Sequence, residues 1–227
     1  MILTFLYVFS FLSFNTKAMM PDDRRLEPLV ELVKNADADF VFLTEEYTGQ
    51  VRTMLGDRYE YYEWATAHID DTERFLCKYP IVGVESIGPV QNGKYMDVWV
   101  HRVQVVPEPG DTISVYCCHW PHGMNDRIYI AGEMLKDMAA EGKNAIAGGD
   151  FNSLSITSPI LMLARNGMYD CWLEKGRGSS ATFHELPIGV RIDYIFHSKG
   201  LRTLNVRRIS GSGISDHDAM FAEFEVD

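Results

Sequence analysis

The sequence predicts an α+β protein in which two packed sheets are flanked by helices. Three observations lead there. Strand-like apolar runs outnumber amphipathic helix-like segments, and the two kinds are interspersed along the whole chain. The 227 residues, 46% hydrophobic and 12% aromatic, suit one well-cored domain over 1–227. No internal repeat, low-complexity stretch or long linker divides the sequence.

The chain opens on MILTFLYVFSFLSF. It is apolar like the centre of an export signal, but it lacks a basic leader and a clear small-x-small cleavage pattern, and it is too short to span a bilayer. It reads as a buried first strand, which favours a cytoplasmic location. A degenerate export signal over 1–12 is the alternative. Pro21-Asp22-Asp23 then precedes RRLEPLVELVKNA, where Leu26, Leu29, Val30 and Val33 recur at helical spacing behind an acidic start. DFVFLTEEY is a short apolar run of the kind found in buried strands. YEYYEW, RFLCKYPIVGVESI, YMDVWVHRVQVV and DTISVYCCHW read as further strands, the last ending at His119.

Asp126 to Ala140 has the helical period, with Ile130, Met134, Leu135 and Met138 on one face. NAIAGGDFN is a strand, and SPILMLARNG a short helix stopped by Gly167. RIDYIFHS and LRTLNVRRI resemble a strand pair with Lys199-Gly200 near the turn, and AMFAEFEV closes the chain as an alternating strand. No segment predicts a membrane span, and a monomer is expected.

The 32 acids exceed the 21 lysines and arginines, for a net charge of −11. Non-specific affinity for long nucleic acid rests on basic surface, so this balance disfavours a long polymer substrate and favours small phosphate esters and divalent cations. A local patch would change that balance, and Arg191, Arg202, Arg207 and Arg208 are the candidates for one. The four cysteines, Cys77, Cys117, Cys118 and Cys171, form no metal-type C-x-x-C. They read as packed thiols, with adjacent Cys117 and Cys118 facing opposite ways on their strand.

The segment GGDFNS poses the functional question. Asp150 and Asn152 are two apart behind a strand-like run, and on an extended backbone they point the same way. Gly, Asp, Asn and Ser are also the common turn formers. Partners decide between the two readings, and polar residues do recur at the ends of apolar strands: Asn15, Glu45 or Glu46, His119, Asp193, and Asp216 with His217. Carboxylates and amides are hard oxygen ligands suited to Mg²⁺ or Mn²⁺, whereas zinc would call for histidine or cysteine clusters absent here.

With SFN, FLTEE, CCHWPHG, GGDFNS, RIDYIF and ISDHDAM in that order, the sequence resembles the endonuclease/exonuclease/phosphatase superfamily, the deoxyribonuclease I-like proteins. The resemblance spans nearly the whole chain and implies a four-layer α/β sandwich of two mostly antiparallel sheets with outer helices. It implies Mg²⁺, or Mn²⁺, held by Glu45 with Asn15, and Asp216 at a second position. It implies that Asp193 orients His217, and that His119 and Asn152 hold phosphate oxygens. It leaves His217 and Asp150 as competing general bases. Glu73 is matched more loosely to an acid that orients the active-site histidine. Two departures stand out: Thr44 replaces the glutamine before the metal glutamate, and Lys17 replaces an acid that some relatives carry two residues after the first-strand asparagine.

The resulting expectation is a divalent-metal-dependent phosphoesterase, foremost a phosphodiesterase acting through activated water. The substrate alternatives are DNA or RNA, a lipid headgroup as in sphingomyelinase-like relatives, and a small soluble ester. Tyr61, Tyr62, Trp64 and Trp120 would form a lipid-facing surface, but read better as core. A non-catalytic binding protein on the same scaffold is the rival class, and the intact GDFN and SDH motifs argue against it. Glu46 reads as solvent-facing or as support for the metal ligand. His68, His101, His122, His184 and His197 read as surface or packing residues, with His122 near enough to His119 to touch substrate.

Overall fold

The computed structural model describes residues 7–21, 23–59, 61–64, 73–91, 94–95 and 100–226. The expectations for residues 1–6, for His68 and for the side chains of Tyr61, Tyr62 and Trp64 lie outside the described residues. Strand β1, Val8–Met19, is followed by helix α1, Leu26–Ala36, and β2, Phe40–Glu46. Helix α2, Val51–Leu55, runs into a 3-10 turn, Gly56–Arg58, before β3, Tyr61–Trp64, and β4, Arg74–Cys77. Next come β5, Ile81–Ile87, β6, Val90–Gln91, β7, Lys94–Tyr95, β8, Val100–Glu108, and β9, Asp111–His119. Helix α3, Met124–Glu141, leads to β10, Asn144–Asp150, helix α4, Ser158–Arg165, β11, Tyr169–Asp170, and helix α5, Cys171–Lys175. Strands β12, Asp193–His197, β13, Leu201–Ile209, and β14, Ala219–Val226, end the chain.

Two six-stranded sheets form, in the orders β13-β14-β1-β2-β4-β3 and β11-β12-β10-β9-β8-β5, with β6 and β7 pairing apart. Each large sheet is antiparallel except for one parallel pair, β1 with β2 and β9 with β10. Parallel neighbours need a crossover, and α1 and α3 supply it. Both members of a parallel pair end on the same side. Asn15 therefore sits beside Thr44, next to Glu45, in the first sheet. Asp150 sits beside His119 in the second.

The apolar runs are continuous because both faces of each sheet are covered. Phe9, Phe11, Phe40 and Phe42 point between the sheets and meet Val103, Val115, Cys117, Ile146 and Ile195. Their neighbours Leu12, Phe14, Val41 and Leu43 point outward onto Leu29, Val30 and Val33 of α1. Tyr116, Cys118 and Ala147 meet Ile130 and Met134 of α3 and Leu163 of α4. Cys117 and Cys118 thus face opposite layers, and all four cysteines are buried free thiols. Trp120 is buried, its ring 4.5 Å from that of Phe151, and so belongs to the core. Among the described residues no helix is long and apolar enough to cross a membrane.

Two sequence expectations change. RFLCKYPIVGVESI is two strands, β4 in one sheet and β5 in the other. The break falls at Lys78-Tyr79-Pro80, where proline has no N–H for a ladder. RIDYIFHS and LRTLNVRRI are both strands, but they do not pair with each other. Both edges of β12 are taken by β10 and β11, so the chain crosses over and β13 pairs with β14.

The glycines of GGDFNS are required by packing. A Cβ on Gly149, whose φ is +145°, would lie 1.8 Å from the Cys118 carbonyl oxygen, and one on Gly148 would lie 2.2 Å from the Phe11 ring. Gly149→Ala is therefore expected to cost about 3 kcal/mol or more, because the obstacle is backbone in the adjacent strand. A urea titration checks this. An unchanged midpoint would mean that β9 and β10 can separate at no cost.

Candidate active site

The ends of the two parallel pairs meet across the sandwich. The Asn15 Nδ2 group donates to Glu45 Oε1 at 2.9 Å and to Asp150 Oδ2 at 3.1 Å, joining the first sheet to the second. Local backbone strain aims these groups. Glu45, Lys17, Ala18 and Asn152 all have φ between 45° and 58°, the left-handed region that costs a non-glycine residue about 1–3 kcal/mol. A register shift in β1 between Asn15 and Met19 accompanies the strain at Lys17 and Ala18. The Ala18 N–H donates to Glu45 Oε2, and the Lys17 N–H to Asn15 Oδ1, each at 2.9 Å.

GGDFNS proves to be both a turn and part of the cleft. Asp150 is the last residue of β10 and accepts the Asn152 N–H on Oδ1 at 2.8 Å. Asn152 has left the extended conformation, so strand alternation does not place it; its Nδ2 donates to the Trp120 carbonyl at 2.7 Å. His217 lies beyond Asp150. Its Nδ1 is 2.9 Å from Asp193 Oδ2, and its Nε2 is 3.9 Å from Asp150 Oδ2. Ligand atoms of Asp150, Asp193 and His217 all fall within 4.8 Å of one another, close enough to share an ion.

His119 Nε2 is 3.7 Å from Glu45 Oε1, and its Nδ1 is 3.3 Å from Glu73 Oε1. The other oxygen of Glu73 is 3.1 Å from His101 Nε2, and Ser86 Oγ closes the chain 3.2 Å from His101 Nδ1. His101 is thus a buried partner of the site rather than a surface residue. Its position in a strand buried on alternate residues was the only sequence signal for that. Glu46 is also buried rather than solvent-facing. It takes N–H groups from Thr48 and Gly49, and its Oε2 lies 3.1 Å from Arg74 Nε.

Asp216 pairs with Lys17 Nζ at 2.9 Å, and the same ammonium reaches Glu185. The lysine that departs from the family pattern thus faces the acid named for a second metal. Asn15, Lys17, Glu45, His119, Asp150, Asn152, Asp216 and His217 line a cleft of about 350 Å³ together with His122, expected from the sequence to lie within reach of substrate, and with Phe183 and Ile192, which sequence reasoning did not assign. His184 and His197 lie outside it, paired with Asp218 and Glu174 respectively, each at 2.8 Å.

Electrostatics sharpen the arrangement. Burial raises the Asp150 carboxyl and the charge of Asp193 raises it further, while His217 and His119 pull it back, leaving it at about 6. Burial lowers His217, but Asp193 outweighs this and holds it up at about 9. Burial also lowers His119, and Glu73 raises it to about 9. Glu73 itself resists burial through its two imidazoles and is held down at about 2. Asp216 is lowered, its burial outweighed by Lys17.

A depressed acid stabilises the fold above its ordinary pKa and loses that contribution as pH falls through the folded value. Glu73 therefore contributes fully above about 4.5, and its contribution is lost toward about 2. A raised histidine contributes fully below its ordinary value, so His119 contributes below about 6.5 and is lost through about 9. The pair is worth most between those limits, on the order of 3 kcal/mol. The unfolding free energy of wild type minus Glu73→Gln, measured in EDTA from pH 2 to 10, is expected to be a plateau with losses at both ends. A pH-independent difference would show that the pairing carries no such stability.

The chain belongs to the endonuclease/exonuclease/phosphatase family, whose model matches residues 12–217. Solved structures share the fold at low identity. A Bacteroides vulgatus endonuclease/exonuclease/phosphatase is 18% identical, with 97% of this chain and 100% of that one covered and a TM-score of 0.80. A truncated Caenorhabditis elegans TDP2 is 18% identical over 96% and 98% of the two chains, at 0.71. ANGEL2, a 2′,3′-cyclic phosphatase in complex with adenosine-2′,3′-vanadate, is 15% identical over 97% and 96%, at 0.76. No curated protein sequence matches the chain.

Proposed function

We propose that the protein is a divalent-metal-dependent hydrolase of phosphate esters, foremost phosphodiesters. The observation that carries the reading is the meeting in one cleft of Asp150, whose carboxyl burial raises, with His217, whose Nε2 is 3.9 Å away and whose Nδ1 is 2.9 Å from Asp193. At pH 7 Asp150 is mostly ionised and can accept a proton from water. His217 is then an imidazolium whose Nε2 faces the cleft and can meet the negative charge that grows on the phosphate oxygens. Asp193 orients the imidazolium by accepting a hydrogen bond from its Nδ1–H. Of the two candidate bases, the electrostatics favour Asp150. His119, a second imidazolium, and Asn152 would bind non-bridging oxygens. Family membership and the likeness to ANGEL2 support phosphate-ester chemistry on this scaffold.

The donor chemistry fits a hard cation. Two carboxylate oxygens, from Glu45 and Asp150, converge on one amide nitrogen, and that amide carries an oxygen of its own. Glu45 with Asn15 would hold Mg²⁺, or Mn²⁺. Such an ion, when bound, neutralises phosphate charge and polarises the ester. The Asp150, Asp193 and His217 cluster suits a metal less well, because Asp193 already occupies His217 Nδ1. Asp216 would support a second ion only if Lys17 were displaced.

The test is a panel of bis-p-nitrophenyl phosphate, sphingomyelin, an inositol phosphate, RNA and plasmid DNA with Mg²⁺, Mn²⁺ or EDTA. Diester hydrolysis abolished by EDTA and restored by Mg²⁺ is expected. No turnover of any substrate with either metal would leave a binding protein on an enzyme's scaffold.

A further inference from the structure

A second and larger concavity, about 750 Å³, lies where the end of α5 meets the edge strand β13. Its walls carry Trp172, Lys175, Arg177, Asn205, Arg207 and Arg208, and no carboxylate is among the residues lining it. On a chain with a net charge of −11 that is an unusual concentration of positive charge. Most described cations elsewhere are held by acids, as in Arg102 with Asp137, Arg25 with Asp23 and Lys78 with Asp37. Three of the four arginines named from the sequence are held in the same way: Arg191 pairs with Asp170, Arg202 with Glu225 and Arg208 with Asp218. Among the described residues, Lys175, Arg177 and Arg207 are not. The Arg207 guanidinium lies 4.5 Å over the Phe221 ring, which fixes the cation without neutralising it.

The shape fits a chain better than a point charge. Arg207 and Arg208 are consecutive on β13, so their side chains leave opposite faces of the strand. Both border the groove, and the Arg207 guanidinium, over Phe221, also borders a neighbouring concavity that holds Glu31. Trp172 adds an aromatic wall whose position is set by Gly176, where a Cβ would lie 2.4 Å from the indole. The groove also leads to the cleft. Arg208 Nη1 is 3.1 Å from Asp218 Oδ2, beside His217. From Ser179 on the groove wall to Phe183 on the cleft wall is four residues, at most about 14 Å of chain.

We propose that this groove is a second phosphate-binding subsite, remote from the cleft, that takes the backbone of a single-stranded oligonucleotide whose scissile phosphate lies in the cleft. The proposal rests on the phosphoesterase reading. Unpaired cations interleaved with an aromatic ring are what flexible single strands engage, the cations meeting phosphates and the ring a base. A duplex presents its phosphates on a stiff convex surface, and a small ester cannot reach both sites. The unfavourable charge of the whole chain is then answered locally.

The test measures binding, in EDTA so that nothing is cleaved, of a labelled oligothymidylate of about 12 nucleotides by fluorescence anisotropy over a range of salt. Wild type is expected to bind it more tightly than a dinucleotide of the same base. Lys175→Glu/Arg177→Glu is expected to bind at least about tenfold more weakly, with a log-log salt slope shallower by about 1.4, two single-strand phosphate contacts. Lys136→Glu, an exposed charge reversal on α3, is expected to bind like wild type. Equal affinity of the folded double variant and wild type, equal affinity for dinucleotide and longer strand, or preference for phosphatidylserine vesicles over the oligonucleotide would each overturn the proposal. Wild type that hydrolyses bis-p-nitrophenyl phosphate but does not bind the strand overturns the groove alone. Wild type that binds the strand but hydrolyses nothing on the panel overturns the hydrolase reading alone.

Discussion

Replacing either His217 or Asp150 by alanine is expected to lower phosphodiester turnover by at least about 10³-fold while the protein remains folded. General acid–base groups contribute about 10²–10⁴-fold, and these two face each other across the cleft with complementary protonation at neutral pH. The fold is expected to survive in both variants at a cost in stability: the Asp150 change leaves the Asn152 N–H and Asn15 without an acceptor, and the His217 change takes the imidazolium from the buried Asp193. Circular dichroism and steady-state kinetics on the same preparations decide it. Near-normal turnover by either folded variant would place the chemistry on other residues, with His119 the first to examine.

Glu45→Gln is expected to raise the Mg²⁺ concentration for half-maximal activity by at least about tenfold. A hard cation is held chiefly by carboxylate charge, and loss even of groups that only support a metal ligand costs about 10–100-fold in affinity. The substitution keeps shape and leaves a carbonyl oxygen. A change in half-saturation with little change at saturating metal would therefore isolate binding from chemistry. A titration with the same half-saturation as wild type would show that the ion sits elsewhere. The buried Glu46 does not qualify in this conformation, because it does not line the cleft and its carboxylate is turned to Arg74, Thr48 and Gly49.

What the sequence revealed and what it hid follow from range. Local signals were legible. The helical spacing of Leu29, Val30 and Val33 and the opposed faces of Cys117 and Cys118 depend only on neighbouring residues, and both are found. The motif residues Asn15, Glu45, His119, Asp150, Asn152, Asp216 and His217 all line one cleft because each lies at or near a strand end. Relations set by sheet membership were not legible. Nothing in RIDYIFHS or LRTLNVRRI shows that the first has both edges occupied, so a hairpin was the natural reading. The pairing of His101 with Glu73 spans strands and could not be counted along the chain. The same holds for the basic groove, which Arg207 shares with Lys175 and Arg177 while Arg191, Arg202 and Arg208 are paired with acids ten or more residues away.

The amide of Asn15 reaches from one sheet to a carboxylate of the other. The geometry of the cleft is therefore a measure of how the two halves of the sandwich are registered, and neither half holds it alone. A slip of about one ångström between the sheets would break that bond at little cost to either hydrogen-bond ladder. Damage to the aromatic layer that locks the sheets together, Phe9, Phe11, Phe40 and Phe42, would then silence the protein long before it unravelled it. For this molecule, retained secondary structure is a poor witness to competence, and turnover is the finer gauge of whether the fold is fully closed.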